Sequence, residues 1–140
     1  MPSVFTRIIN GELPGQFVWK DDRVVAFLSI NPMMPGHTLV VPRNEVDHWI
    51  DLDPDLAGEL FQVAQWVGKA QDAVWHPRRV GVMVVGDEVP HVHLHIVPIN
   101  SPAELSFAHA DPSPDFDAIA DAADKLRAAL RTLGAPGVAE

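Results

Sequence analysis

Apolar residues recur with two different periods in this sequence, and each change of period marks an element. Val4, Phe5, Ile8 and Ile9 fall at helical spacing and stop at Asn10-Gly11, which predicts a short helix ended by a left-handed turn residue. Residues 17–20 and 24–30 predict the two strands of a hairpin, with Asp21-Asp22-Arg23 between them. The loop Asn31-Pro32-Met33-Met34-Pro35-Gly36 follows, its prolines restricting the backbone and its glycine allowing close approach, and residues 37–42 predict a third strand that begins on a histidine. Asp53-Pro54 has the composition of a helix start. Leu56, Leu60, Val63, Val67, Ala70 and Val74 then form one apolar stripe expected to pack on a sheet, while Trp66 and Trp75 lie off it and are candidates for a subunit contact.

Residues 80–85 are apolar on both faces, which predicts a central strand. The link 86–90 is short enough to make that strand the antiparallel neighbour of the next, residues 91–97. Residues 100–114 are rich in turn formers. Ser113-Pro114 opens a last helix with Phe116, Ile119, Ala122, Ala123, Leu126, Leu130 and Leu133 on one face and Gly134 as its stop, and residues 135–140 are expected to fray. Strands punctuated by two long helices predict an α+β fold: an antiparallel sheet with helices packed on one face, in a single domain over residues 1–140.

The candidate chemistry lies in His91-Val92-His93-Leu94-His95-Ile96-Val97. In an extended strand alternate side chains share a face, so three imidazoles stand over an apolar layer of Val92, Leu94 and Ile96. Such a row suits metal ligation or chemistry by a group that titrates near neutral pH; a merely polar exposed face is the bland alternative. The chain has no cysteine, which removes disulfides, thiol nucleophiles and thiolate metal sites together. Ten Lys+Arg against 19 Asp+Glu give a net charge of −9, a field that repels nucleic acid and anionic membranes but leaves a small anion open where donors are local. The first residues lack the basic patch and apolar run of an export signal, so a cytoplasmic location is expected.

The motif resembles the signature of the histidine triad (HIT) family, and two other stretches resemble the same family in the same order: Pro35-Gly36-His37-Thr38-Leu39-Val40-Val41-Pro42, and Val4-Phe5-Thr6-Arg7-Ile8-Ile9 with the hairpin after it. The likeness runs from about residue 4 to residue 98 and is nearest the Hint-like branch. It implies a homodimer with a sheet continuous across two subunits. It also implies nucleotide hydrolase or nucleotidyl transferase activity on nucleoside 5′-phosphoramidates or related purine nucleotide conjugates, with no cofactor and no metal in the chemical step. By the same resemblance His93 is the nucleophile at the α-phosphorus, with its other ring nitrogen protonated and held by a backbone carbonyl. His95 donates to a phosphate oxygen, His91 lies on the opposite side of the nucleophile, and His37 completes a positive rim and orients His95 or the leaving group. Val4, Phe5, Ile8, Phe27, Leu28 and Ile30 map to the base pocket.

Three departures qualify the likeness. Ser29 stands where the family has an aspartate or asparagine gripping the ribose hydroxyls. The link 86–90 is shorter than the donor-bearing loop of most relatives, and it brings Glu88 and Val89 near the phosphate position; a carboxylate beside an anion is unfavourable. A catalytically weak nucleotide- or partner-binding protein is therefore the alternative reading, with a histidine metal site third. Ser3, Thr6 and Glu45 occupy positions where some bacterial relatives hold a structural zinc with cysteines and histidine, and no zinc is expected here.

Overall fold

The computed structural model describes all 140 residues. Helix α1 (Val4–Ile9) is capped by the Ser3 hydroxyl and followed by Gly11 at φ +80°, the left-handed residue expected there. Strands β1 (Phe17–Lys20) and β2 (Val24–Leu28) form the hairpin, β3 (Thr38–Pro42) pairs antiparallel with β2, and helix α2 spans Pro54–Trp75 with Asp53 as its cap. Strands β4 (Arg79–Met83) and β5 (Leu94–Ile99) are antiparallel neighbours, and helix α3 (Phe116–Leu133) ends at Gly134. The antiparallel sheet has the order β1-β2-β3-β5-β4. No helix is long and apolar enough to cross a membrane.

Alternation along the strands sorts the sheet into two faces. Val24, Ala26, Leu28, Val40, Leu94 and Ile96 face the two long helices and join Leu56, Leu60, Val63, Val67, Leu126 and Leu130 in the main core. The opposite face carries Val25, Phe27, Leu39 and Val41, partly covered by Phe5 of α1, and His95 stands on this side. The long helices thus occupy one face, as expected, and over the other lie the short α1 and, across β4 and β5, part of the 100–114 segment.

Four expectations are corrected. Residues 80–85 do not form a central strand: β4 is the sheet edge, paired to β5 alone. Its two apolar faces meet layers above and below, Val80 against the α2 side and Met83 against Met33, Val97, Ile99 and Leu105; apolarity on both faces reports those layers and not lateral neighbours. Residues 135–140 do not fray, because Val138 bridges to Trp19 and the Ala139 N–H donates to the Val18 carbonyl, pairing the tail irregularly with the β1 edge. Phe116 and Leu133, the first and last residues of α3, leave its core face, both being exposed. The strand of the histidine motif begins at Leu94, so His91 and His93 lie just outside the ladder.

The off-stripe tryptophans serve the chain itself. Trp66 packs against the core, and the indole of Trp75 covers Gly36 so closely that a Cβ at Gly36 would enter the ring. Gly36 also has φ +90°, which L side chains rarely adopt. Gly36→Ala is therefore expected to destabilise the fold by about 3 kcal/mol, combining backbone strain with overpacking, as a lowered urea midpoint at unchanged slope. Nearby, the fully buried Gln71 on the α2 stripe donates to the carbonyls of Gly36 and Ile96 at 2.9 and 2.8 Å, tying α2 to the loop end that carries His37 and to the strand that carries His95.

Candidate active site

The imidazoles gather where β3 and β5 pair, at the end of the sheet next to α1. His95 sits in β5 opposite Leu39 of β3, and His37 directly precedes β3, so the two rings meet with His37 Nε2 and His95 Nδ1 at 3.0 Å. His93 stacks edge-on against His95 on one side, with ring centroids 4.9 Å apart, and against Phe5 on the other at 4.8 Å. His91 is turned behind His93 and is fully buried. The row of rings is thus His37-His95-His93 and not His91-His93-His95, because the backbone leaves strand geometry before Leu94.

Hydrogen-bond direction fixes the tautomers. The Met33 N–H donates to His37 Nδ1 at 3.0 Å, so His37 carries its proton on Nε2 and donates it to His95 Nδ1. The His95 proton is then on Nε2, a buried atom that has no partner in the protein. His93 Nδ1 lies 2.7 Å from the His91 carbonyl, which can only accept, so the proton is on Nδ1 and the lone pair is on Nε2. One ring therefore offers a free lone pair and its neighbour a free N–H.

The charge of the cluster differs from the expected positive rim. Burial, with the neighbouring His95 and His93 adding to it, pushes His37 down to about 3; burial and then His93 push His95 down to about 4. Burial also lowers His91 and His93. At neutral pH the site is a chain of neutral rings whose donors are directed N–H groups.

The remaining expected residues are dispersed. Phe5, Ile8, Phe27 and Val89 come together beside His93, in an apolar patch that also includes Val25, Leu39 and Val41. Leu28 does not join them: it alternates with Phe27 and faces the long helices. Val4, Ile30 and Glu88 are exposed and lie outside this cluster. The Ser29 hydroxyl accepts the Asn31 N–H at 3.2 Å, which leaves it one proton to donate. No sequence pattern pointed to Phe107, an exposed ring set edge-on to His95 at 5.5 Å on a 3₁₀ turn of residues 107–109. Its segment is strapped down by Asn31 Nδ2 donating to the Asp111 carbonyl at 2.9 Å and by the Asp111 N–H donating to the Pro32 carbonyl at 3.0 Å. A surface cleft of about 520 Å³ lies elsewhere, between β1 and α3. It is almost wholly polar and its Arg127 is already engaged by the Phe17 carbonyl and Asp124.

Comparison with known proteins gives the same assignment. The HIT domain family model matches residues 10–101. An uncharacterised HIT-like protein of Methanocaldococcus jannaschii is 37% identical over 105 residues, covering 68% of this chain and 77% of that one. Among solved structures, a zinc-bound histidine triad family protein from Mycobacterium smegmatis superposes with a TM-score of 0.80 at 28% identity, over 94% of each chain. A hypothetical histidine triad nucleotide-binding protein from Sulfolobus tokodaii gives 0.78 at 26% identity, over 92% of each. A zinc does not fit Ser3, Thr6, Glu45 and His91 here: two hydroxyls are poor ligands for it, and both nitrogens of His91 are engaged, with the Ser3 hydroxyl at 2.6 Å and the Pro42 carbonyl at 2.7 Å. From the matched residues, the shared architecture and the histidine cluster, the chain belongs to the HIT domain family.

Proposed function

We propose that this protein is a nucleotide hydrolase or nucleotidyl transferase acting at the α-phosphorus of nucleoside 5′-phosphoramidates or related purine nucleotide conjugates, through a covalent nucleotidyl-His93. The observation that carries the reading is the pairing of a free lone pair on His93 Nε2 with an unpartnered N–H on His95 Nε2. A neutral imidazole attacks phosphorus without first losing a proton. The P–N bond breaks as the N–P bond forms, and the amine leaves with the bonding pair and takes a proton from solvent. The His93 ring becomes cationic, and its Nδ1–H tightens on the His91 carbonyl. His95 donates to a non-bridging oxygen, where charge develops. Water then cleaves the phosphoimidazole, releasing the nucleoside monophosphate and restoring His93. The nucleotide-binding description of the Sulfolobus tokodaii relative supports the substrate class.

Incubating the purified chain with adenosine 5′-phosphoramidate and following AMP tests this directly. Release of AMP is expected; AMP binding by calorimetry without any turnover would favour the alternative of a catalytically weak binding protein on the same scaffold. Phe5, Ile8, Phe27 and Val89 are the proposed base-side residues, with Ser29 at the ribose. Because the Ser29 hydroxyl has a single proton to give, Ser29→Asp is expected to tighten nucleotide binding by about 1–3 kcal/mol, read as a lower KM at similar kcat. A homodimer through the unpaired β4 edge is part of the proposal, supported by the exposed Val82 and Val85 along and just beyond that strand. Sedimentation should then give twice the 15.3 kDa chain mass.

A further inference from the structure

Residues 91–93 lie outside the β5 ladder, so the sheet does not hold the carbonyl that sets the His93 tautomer. The Val92 N–H of the same peptide unit donates to the Val46 carbonyl at 2.8 Å, and the second tether is the His91 side chain. Its Nε2 donates to the Pro42 carbonyl at 2.7 Å, which leaves Nδ1 as an acceptor. The Ser3 hydroxyl is 2.6 Å from that nitrogen. Ser3 Oγ has one proton and two acceptors within reach, His91 Nδ1 and, at 3.3 Å, Thr6 Oγ1; the short contact wins. On its other side Ser3 Oγ accepts the Thr6 N–H at 3.0 Å, and so caps α1.

Ser3 is held in turn by Glu45, in the segment after β3. Glu45 Oε1 accepts both the Ser3 N–H and the Thr6 hydroxyl, each at 2.5 Å. Those bonds, Thr6 first and then Ser3, keep its carboxyl below the ordinary range, so the acceptor is ionised. The run is continuous from Glu45 through Ser3 and the His91 ring to Pro42, and through the His91 backbone to His93.

We infer that Ser3 and Glu45 are positioning residues for the nucleophile, forming with Thr6 a hydrogen-bonded clamp that fixes His91 and through it the protonated nitrogen of His93. With the Ser3 donor removed, His91 Nδ1 becomes a buried acceptor without a partner, and the Pro42 carbonyl alone holds the ring. The ring then turns on that single bond, and the His91 carbonyl shifts off His93 Nδ1. His93 then populates the form with the proton on Nε2, in which the attacking lone pair is absent. Only the kinetic consequence of the clamp rests on the proposed nucleotidyl-His93 chemistry.

The test reads tautomers by two-bond ¹H–¹⁵N correlation on histidine-labelled protein at pH 7, beside kinetics with adenosine 5′-phosphoramidate. The wild type should show His91 protonated on Nε2 and His93 on Nδ1. Ser3→Ala should split His93 between its two forms and lower kcat by roughly tenfold with KM little changed, and Ser3→Thr, which keeps the hydroxyl, should restore both. Glu45→Ala leaves the α1 cap in place and covers the case in which Ser3→Ala frays that helix. It should move His93 in the same direction, and Glu45→Gln, which keeps an acceptor oxygen, should bring it back. A His93 ring that stays wholly in the Nδ1–H form in both alanine variants overturns the clamp. If the wild type releases no AMP, the phosphoramidate reading fails, and the tautomer comparison still decides this one.

Discussion

His93→Ala is expected to lower AMP release from adenosine 5′-phosphoramidate by at least about 10³-fold, some 4 kcal/mol of transition-state stabilisation, while leaving the circular dichroism unchanged. The side chain is nearly buried but sits at the open face, against Phe5 and His95 and away from the main core, so its loss opens a space without removing the layers that hold the sheet. The effect has to be this large because no other free imidazole lone pair faces the site: His37 and His95 each spend theirs on a hydrogen bond, and His91 is buried with both nitrogens engaged. His95→Ala removes a donor and keeps the nucleophile, so a smaller loss of about 10²-fold is expected there. His93→Gly supplied with free imidazole should recover part of the rate. A His93→Ala variant that turns over like the wild type would mean that water attacks phosphorus directly, and the covalent route would be abandoned.

The elements were legible because each follows a local rule: the cap residues Asp53 and Gly134, the apolar stripes of α2 and α3, and the alternation that puts Leu94 and Ile96 behind His95. Lateral order was less so. The sequence of β4 resembles a central strand because α2 covers one face and the 100–114 segment the other, and nothing local in a strand announces that its outer edge is bare. The triad motif suggested three equivalent rings from period-2 spacing alone. What breaks that equivalence is nonlocal: His91 is drawn to Ser3, 88 residues away, and to Pro42, 49 residues away. Ser29 and Leu28 show the same limit at short range, since one residue of offset decides which face a strand side chain serves. Gln71 sits on an apolar stripe where a polar residue looks like an error until the two carbonyls it binds are known.

Acid should destabilise the folded chain between pH 6.5 and 4.5, before the carboxylates titrate, with a slope of about 1.4 kcal/mol per pH unit for each buried histidine. The sign follows from which state takes the proton. Unfolded, His37 and His95 protonate near 6.5; folded, burial delays this to about 3 for His37 and about 4 for His95. Above 6.5 neither state carries the extra protons and stability is at its plateau. As pH falls below 6.5 the unfolded chain binds protons that the folded one refuses, and stability is lost until the folded rings protonate in turn. From pH 7 to pH 4 these two rings together cost about 6 kcal/mol, comparable to the whole stability of an ordinary domain, so unfolding is expected near pH 4. Urea titrations at pH 7, 5.5 and 4.5 measure the slope, and His37→Gln should reduce it by about one histidine's share. A stability flat across this window would mean that the rings are charged in the folded chain. His95 Nδ1 could then no longer accept from His37, and the neutral donor chain that presents an N–H to the phosphate would have to be replaced by an electrostatic one.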